Sequence, residues 1–501
     1  MNKKTTYLLL ALIIVLGAFL RIYGLGDESF WVDESSTAYG VKQTYSYIIH
    51  NIYSYATLTP EYFKAGGGEV PLYYILIRFW AGINGLSEFS LRLFSAIFGI
   101  LSLCVIFKIG KMIFNDKVGL LSAFIMSINH QHIFYSQEAR NYSFLVFLTL
   151  LSFYFFIKAL NNNKNLSWIL YSLCAVAMIY THYLSFLILM SQYIFVLIFH
   201  KSYRLQFRKA LISAFGVFIA YLAWTPVLIK QIFHSQYPYS SIYKPTIGKL
   251  IYVFIQINSW ISPDFQSRIA LRSMNLNLLT VLGWASILCI LSITIILASM
   301  SLIGALKNKH FSMRNLTDKN KCILLFWFFI PIIVPFLLSL LFPSASIVGF
   351  VQYIMFATPP YFILASKGIL TFKKHFMAIL ILLAILSIIP VYSYYANFDK
   401  EQWRDAAAYL KNNNGRQDII LINKPVSELA LKYYYNTANS QGVNDVEEAK
   451  SATAGKSSFW LLYSAEKFSD SGHSIKKYFD SQYTLKEQKE FTGILLYHYE
   501  S

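Results

Sequence analysis

Charged side chains are scarce in this 501-residue sequence. Asp, Glu, Lys and Arg make up 14% of it, whereas roughly a quarter of an ordinary soluble chain is charged. Hydrophobic residues make up 56%, which excludes a disordered protein and a nucleic-acid-binding domain in solution. This is also more apolar surface than a single buried core can cover. The chain is therefore expected to contact lipid.

Cysteines are few, and nucleotide-binding motifs are absent from the sequence. The four cysteines all lie within apolar runs, so neither a disulfide framework nor a CxxC metal site is expected. The sequence has no GxxxxGK[ST] and no GxGxxG, so no nucleotide site is expected either. The cysteines are Cys104, Cys174, Cys289 and Cys322.

The net charge of +18 is confined to one part of the chain. Residues 396–501 hold 13 Lys and Arg against 14 Asp and Glu, so the first 395 residues carry 30 basic and 11 acidic side chains. Most of these basic residues fall in short connectors between apolar stretches. This distribution is typical of membrane orientation by the positive-inside rule, and not of nucleic-acid binding.

Eleven apolar stretches are long enough to be read as membrane-spanning helices, each of which needs about 20 residues. Connectors rich in lysine and arginine alternate with connectors on the other side that also hold most of the acidic residues, which predicts a cytoplasmic N-terminus and an outer C-terminus. Residues 1–20 lead into Arg21 without a small-residue cleavage site, so an uncleaved first helix is expected. The predicted spans are 6–23, 89–107, 118–134, 141–158, 167–182, 183–199, 210–229, 276–306, 322–342, 351–370 and 376–395.

Two regions outside these spans carry structure of their own. The stretch 71–83 is apolar but too short to span, and is predicted to be an interfacial helix within the first outer loop, 24–88. Residues 396–501 read as an extracytoplasmic α/β domain, with a helix over 401–410 capped by Asp399. Strands are predicted at 418–422, 459–463 and 494–499. The predicted domains are therefore 1–395 and 396–501.

Acidic residues indicate where a site could lie. Of the eleven in the first 395 residues, nine fall on the predicted outer side, and six of these lie between residues 27 and 69. Asp33 and Glu34 follow the aromatic segment 30–32, which is expected to hold them near the bilayer. A carboxylate in a partly dehydrated pocket is a competent general base, so we predict Asp33 as the base. Glu34 would orient it or raise its pKa by like-charge repulsion.

A second acidic candidate, Glu138, lies between two spans with almost no loop to spare. It and Arg140 could simply neutralise one another, or Arg140 could bind a phosphate, which its planar guanidinium suits. Composition alone does not favour either of these two roles for Arg140. Other cations on the predicted outer face are candidates for the same role. Lys230 and Arg272 lie near predicted span ends, and Lys64 lies within the first outer loop.

Two further side chains have a plain structural alternative. His182 could ligate a metal together with Glu69, but a lone His at a helix end is more often a hydrogen-bonded structural residue, and two ligands do not make a site. No metal or other cofactor is expected.

Arg92 lies four residues after Glu88, and a helical ion pair between them is the expected role.

Seven motifs in order along the chain carry a resemblance to a known family. They are RIYGL at 21–25, WVDE at 31–34, PLYYIL at 71–76, SEFSLR at 87–92, YSQEARNY at 135–142, YTHY at 180–183 and QWRDAAA at 402–408. Together they resemble the bacterial branch of the protein mannosyltransferase and aminoarabinose-transferase superfamily, which is similar to glycosyltransferase family 39.

The resemblance implies a GT-C fold and a polyprenyl-phosphate-linked sugar donor taken from the outer leaflet. It implies that Asp33 activates the acceptor, that transfer inverts the anomeric carbon, and that Glu138 lines the same cavity. Tyr142, His182 and Glu69 would line the substrate pocket. The expected partners are membrane lipid, the lipid-linked sugar and an acceptor that is a glycan, a lipid or a protein. The expected location is the bacterial inner membrane, and no nucleic-acid partner is expected.

The chain departs from the family pattern at two points. Many relatives have His-Pro-Pro-Leu or Lys-Pro-Pro-Leu where this chain has EVPL at 69–72. Relatives also commonly have Pro-Arg-Tyr where residues 351–353 read VQY. These departures put in doubt a basic residue before the first Pro and a lipid-phosphate contact from the second motif.

Two other classes of function compete with a transferase. A lipid or glycan transporter or flippase would also have many spans, but transporters usually carry helix-breaking residues near the midplane in paired halves. Pro331 and Pro335 break one span without a matching partner. A non-catalytic scaffold is the third reading, and it would be favoured by loss of the Asp33–Glu34 pair, which is intact.

Overall fold

The computed structural model describes most of the chain and divides it into a helical bundle and a C-terminal sheet. The described residues are 2–46, 48–49, 70–234, 246–247, 257, 316–341, 351–396, 400–414, 418–423, 425–464 and 472–501.

The described residues up to 396 form the helical bundle. Its helices are α1 Lys3–Ile22, α2 Val32–Lys42, α3 Pro71–Asn84, α4 Glu88–Ile113, α5 Asp116–Ile128, α6 His130–Ser136, α7 Tyr142–Asn162, α8 Asn165–Ile179, α9 Ser185–Ile198, α10 Arg204–Leu222, α11 Thr225–His234, α12 Leu316–Leu341, α13 Pro359–Ile369 and α14 Phe376–Ala396. Short 3₁₀ turns at Val351–Tyr353 and Met355–Ala357 precede α13.

Six helices in the described part of the chain are long and apolar enough to cross a membrane, namely α1, α4, α7, α10, α14 and the part of α12 from Lys321 to Leu341. Helices suit lipid because every backbone polar group is satisfied within the segment. The predicted span 276–306 lies outside the described residues, and the span count of eleven stays a prediction. The predicted span 118–134 consists of α5 and the start of α6, separated at Asn129.

Close helix packing in the bundle depends on glycine. At the crossing of α4 and α5, a Cβ at Gly119 would lie 2.5 Å from the Phe107 carbonyl oxygen, and one at Gly110 would lie 2.9 Å from the Gly119 Cα. Small residues let helix backbones approach closely where lipid offers no hydrophobic drive for association. This crossing fixes α4 against α5, and α4 begins at the site described below.

Arg21, from the first family motif, fixes α1 to α5 and α6. Its buried guanidinium donates to the carbonyls of Ser127 and Met126, at 3.0 and 3.1 Å, and lies 2.8 Å from Nδ1 of His132. Both carbonyls belong to the last turn of α5, where the unpaired groups of a helix favour a cation. The role of Arg21 in the described structure is therefore to hold these helices together.

The C-terminal part has one mixed sheet. Its helices are α15 Trp403–Asn413, α16 Glu428–Tyr434, α17 Val446–Thr453 and α18 Ser474–Gln482, and its strands are β1 Ile419–Asn423, β2 Ser440–Val443, β3 Ser458–Ser464, β4 Thr484–Phe491 and β5 Ile494–Glu500. The strand order is β2-β1-β3-β5-β4, with β1 parallel to β2 and β3, and β5 antiparallel to β3 and β4.

Sequence predicted the buried strands of this sheet and missed the edge strands. β1 and β3 are continuous apolar runs that are covered on both faces. By contrast, β4 is charged and mostly exposed, so its composition gives no apolar signal. The helix α15 begins at Trp403 after Gln402, which makes no side-chain cap. The proposed cap, Asp399, lies outside the described residues.

The C-terminal part packs against the segment that follows α1. Arg404 donates to the Glu88 carboxylate at 2.7 Å and to the backbone carbonyls of residues 26–28. The hydroxyl of Tyr434 accepts from the Phe30 N–H at 2.7 Å and donates to Glu88 at 2.8 Å. The QWRDAAA motif therefore anchors this part of the chain to the end of the bundle that carries the acidic residues.

Candidate active site

The acidic residues singled out from the sequence come together at the end of the bundle where α1 ends and α4 and α7 begin. Asp33 and Glu34 lie in the first turn of α2, where the exposed N–H groups of a helix favour negative charge. Glu138 lies in the turn 137–141 between α6 and α7. Hydrogen bonds between α2 and this turn join the two acidic segments.

Glu34 forms a buried ion pair with Arg92. The guanidinium donates through Nε to Oε1 at 2.8 Å and through its second terminal nitrogen to Oε2 at 2.7 Å, and neither side chain is more than 2% exposed. Arg92 also donates to the backbone carbonyls of Leu25, Glu28 and Ser29, at 3.1, 2.8 and 2.9 Å. The predicted Arg92–Glu88 pair is wrong, because Glu88 pairs with Arg404 and Arg92 reaches a residue 58 positions away.

A second cation reaches Glu34 from the C-terminal part of the chain. The Lys400 ammonium lies 3.2 Å from Glu34 Oε2 and donates to the Gln137 carbonyl at 3.1 Å, and its side chain is 3% exposed. Sequence analysis missed Lys400. Its only local signal was its position two residues before the QWRDAAA motif, and nothing in the sequence connects it to residue 34.

These contacts change the role expected of Glu34. Burial by itself would raise its pKa, but the charges of Arg92 and Lys400, with hydrogen bonds from Arg92 and the Ala139 N–H, outweigh burial and hold the pKa at about 2. The carboxylate is thus ionised and neutralised by its partners. Glu34 joins α2, α4 and the turn 137–141, which fits the orienting role weighed for it, and a like-charge effect on Asp33 stays a prediction.

Phe30, the first residue of the aromatic segment before the acids, packs inside the protein. It is fully buried, with its ring centroid 5.2 Å from that of Tyr433 and the Arg92 guanidinium 5.2 Å above its face. Because these partners come from α16 and α4, Phe30 joins the segment before α2 to both parts of the protein. The expected position of the segment 30–32 near the bilayer stays a prediction.

The turn 137–141 is held on both sides by hydrogen bonds. Gln137 donates to the Tyr23 carbonyl at 2.8 Å, and the Ala139 N–H donates to Glu34 Oε1 at 2.8 Å. The Arg140 carbonyl accepts from Ser95 at 3.0 Å, and Asn141 donates to the Thr181 carbonyl at 3.0 Å. Short loops seldom have so many partners, and this one is rigidly placed relative to α2 and α4.

Glu138 is the exception in this turn. Its side chain is fully buried, and neither carboxylate oxygen has a hydrogen-bond partner among the described residues. Burial, reinforced by the negative charges of Glu34 and Asp33, raises its pKa to about 8 against the opposing charges of Lys400 and Arg140. Glu138 is therefore mainly protonated at neutral pH. Unpartnered buried polar groups are rare, and a protonated carboxyl can donate a hydrogen bond as well as accept one.

Asp33 is partly buried, whereas Glu34 beside it is fully buried, and no described residue hydrogen-bonds to the Asp33 carboxylate. Its backbone carbonyl accepts from Arg140 at 3.3 Å, which places the guanidinium of Arg140 beside the first turn of α2. Of the two adjacent acids, Glu34 is therefore occupied by Arg92 and Lys400, and Asp33 is the one without a hydrogen bond to the described residues.

Aromatic rings form one wall of the region. The Arg140 guanidinium lies 6.0 Å from the ring centroid of Tyr142, and the ring of Tyr353 lies 6.5 Å from Tyr142 and 5.7 Å from His182. His182 Nδ1 accepts from the Leu184 N–H at 3.1 Å. A hydrogen-bonded His182 fits the structural role weighed for it.

The two departures from the family pattern lie differently in the structure. Gln352 accepts a hydrogen bond from the Tyr135 hydroxyl at 3.2 Å, which places the VQY segment at this wall. Glu69 lies outside the described residues, as do Lys64 and Arg272, and the side chain of Lys230 is not described. Within the described ranges, no group of three His, Cys, Asp or Glu side chains could hold a metal.

Comparison with known proteins relates this arrangement to membrane transferases. Residues 68–229, about a third of the chain, match the family described as dolichyl-phosphate-mannose-protein mannosyltransferase. This stretch contains Arg92, the turn 137–141 and His182. Comparison with curated protein sequences found no match.

Solved structures match nearly the whole chain. ArnT from Cupriavidus metallidurans in the apo state matches with a TM-score of 0.55 and 11% identity, over 99% of this chain and 98% of ArnT. The oligosaccharyltransferase of Archaeoglobus fulgidus in its apo form matches with a TM-score of 0.58 and 11% identity, over 93% and 70%. The oligosaccharyltransferase AglB from the same organism, in complex with an inhibitory peptide and a dolichol-phosphate, matches with a TM-score of 0.55 and 11% identity over 99% and 74%.

At such low identity the structural matches show the fold. They agree with the long apolar helices and with the family pattern over residues 68–229. The fold implied by the resemblance is confirmed: the chain has the GT-C fold of these solved structures, and six helices of its described part are long and apolar enough to cross a membrane.

Proposed function

We propose that this protein is an inverting glycosyltransferase that moves a sugar from a polyprenyl-phosphate donor to an acceptor at the outer face of the membrane. The observation that carries the proposal is the Asp33 carboxylate, which no described residue engages, beside Arg140 and the buried carboxyl of Glu138. The fold and the family match over residues 68–229 support a lipid-phosphate donor.

The proposed reaction needs a base and a cation. Asp33 accepts the proton of the acceptor hydroxyl or amine as the acceptor atom attacks the anomeric carbon. The bond from that carbon to the lipid phosphate breaks on the opposite face, which inverts the configuration. Negative charge then accumulates on the departing phosphate, and Arg140, which lies beside the first turn of α2, is our candidate for the cation that stabilises it.

Supporting groups would keep this geometry. Glu34 is saturated by Arg92 and Lys400, so it fixes the first turn of α2 and with it the position of Asp33. The protonated carboxyl of Glu138 can donate a hydrogen bond to the sugar or to a phosphate oxygen. Tyr142 and Tyr353 supply the flat apolar faces on which a sugar ring packs.

The test is sugar transfer from a panel of radiolabelled undecaprenyl-phosphate sugars in membranes or detergent, with a crude envelope extract from the native source as acceptor. We expect Asp33→Asn to lower transfer by about 10²- to 10⁴-fold, the usual contribution of a general base. Asp27→Asn is the matched control, since Asp27 is an exposed acid in the same segment. Equal transfer by wild type and Asp33→Asn would rule out Asp33 as the base.

A further inference from the structure

Lys400 occupies an unusual place for a residue of the C-terminal part. It lies between the last bundle helix, α14, and the first helix of the sheet part, α15. Its backbone N–H donates to the Glu28 carboxylate at 3.2 Å, and its ammonium turns inward to Glu34 and the Gln137 carbonyl at 3.2 and 3.1 Å. A buried ammonium is costly unless it is paired, so these contacts keep Lys400 in place.

We propose that Lys400 is a positioning residue through which the C-terminal part completes the acidic site, by tying the turn that carries Glu138 to the carboxylate of Glu34. Without the C-terminal part the site would be incomplete. Of the two buried cations that contact Glu34, Arg92 belongs to the bundle, but Lys400 lies beyond α14. The inference deepens the proposed function and rests on it.

The charge of Lys400 also acts on Glu138, which has no hydrogen-bond partner of its own among the described residues. Apart from burial, Lys400 has the largest influence on the protonation of Glu138, and it favours the ionised form. The ionisable and charged groups that face Glu138 from the elements packed around it are Lys400, Glu34, Asp33, Arg140, Tyr73 and Tyr142. Removal of Lys400 leaves Arg140 as the single cation in this set.

Arg404 provides a matched control four residues further along. It docks the same segment against Glu88 and the carbonyls of residues 26–28, but it makes no contact with Glu34 or with the turn 137–141. Loss of Arg404 therefore weakens docking without removing the charge at the acidic site. Comparing variants of Arg404 and Lys400 therefore distinguishes a structural role in docking from an electrostatic role at the acidic site.

The experiment titrates Glu138 directly in the full-length protein in detergent. Infrared difference spectra over pH identify the protonated carboxyl band that disappears in Glu138→Gln. The pH at which this band reaches half of its full intensity, its titration midpoint, is then compared among wild type, Lys400→Met, Lys400→Arg and Arg404→Met. If Lys400→Met fails to fold, Lys400→Gln removes the charge while retaining a donor for the Gln137 carbonyl.

We expect the midpoint in Lys400→Met to rise by about one pH unit, the scale on which a nearby opposite charge acts, and to stay at the wild-type value in Lys400→Arg and Arg404→Met. A midpoint that is unchanged in Lys400→Met, or that rises equally in Arg404→Met, would overturn the proposal. Because the band is read without substrate, it decides the role of Lys400 even if no donor is transferred. Sugar transfer can also be measured as a function of pH. The part of this pH dependence that disappears in Glu138→Gln should shift to higher pH in Lys400→Met.

Discussion

The buried pair of Glu34 and Arg92 gives the sharpest test of how this site is assembled. Arg92→Met keeps an unbranched apolar stem but removes the bidentate contact and three hydrogen bonds to backbone carbonyls. Glu34 then remains buried with Lys400 and one backbone N–H. Removing one partner of a buried pair costs about 3–5 kcal/mol, since an uncompensated charge is left behind.

A second route from the structure gives a similar magnitude. The pKa of Glu34 is lowered from 4.5 to about 2 in the fully buried site. Each pKa unit corresponds to about 1.4 kcal/mol, so the environment favours the ionised form by about 3 kcal/mol. The two estimates agree in scale, and both assign the stabilisation to the cations around Glu34.

The assay is a double-mutant cycle of Glu34→Gln and Arg92→Met, followed by thermal unfolding in one detergent. Each single variant should lose stability strongly, and the double variant should lose less than the sum, because neither Glu34 nor Arg92 is then left buried without the other. Lys400 loses its Glu34 partner in both Glu34→Gln and the double variant, so that cost cancels from the coupling energy. The half-exposed Arg404–Glu88 pair serves as a comparison and should show a coupling of about 1 kcal/mol or less. Additive effects of Glu34→Gln and Arg92→Met would refute the reasoning.

The same pair predicts a dependence on acid. The folded-state pKa of Glu34 lies below its ordinary value, so its stabilisation is fully present above about pH 4.5 and is lost as pH falls towards 2. In that window wild type should lose stability more steeply than Glu34→Gln. Parallel curves for the two proteins would show that Glu34 is not the group responsible.

The remaining predictions concern packing and the aromatic wall. Gly119→Leu should destabilise the protein by about 1–3 kcal/mol or more, because its side chain meets the Phe107 carbonyl, whereas Gly216→Leu, with open space around it, should be close to neutral in the same unfolding assay. Tyr353→Ala should raise KM for the lipid-linked sugar, while Tyr353→Phe should keep the ring contacts with His182 and Tyr142 and change KM little. Equal KM values for the two Tyr353 variants would remove this wall from the proposed binding site.

Local patterns explain what the sequence revealed about the site. Asp33, Glu138 and Arg140 were singled out because each lies just beyond an apolar run, at a position where a charge has no role in membrane insertion. The helix predicted over 71–83 and the strands predicted over 418–422 and 459–463 also follow from composition alone, and α3, β1 and β3 have nearly those bounds.

Pairing across long distances explains what the sequence missed. Helical spacing suggested Glu88 for Arg92, because spacing reveals only neighbours three or four residues apart. The real partner, Glu34, lies 58 residues earlier, and Lys400 reaches Glu34 across 366 residues. No local pattern could separate the two acids of the Asp33–Glu34 pair, yet one is saturated and the other is available.

The sequence by itself determined the membrane character, the order of the long helices and the region in which charged groups gather, since hydropathy and charge are properties of short segments. Tertiary structure alone decided which carboxylate is neutralised, which carboxyl is buried without a partner and which cation comes from the C-terminal part. These outcomes depend on burial and on distances between side chains from separate helices. Both are set only when α2, α4, the turn 137–141 and the segment before α15 pack together.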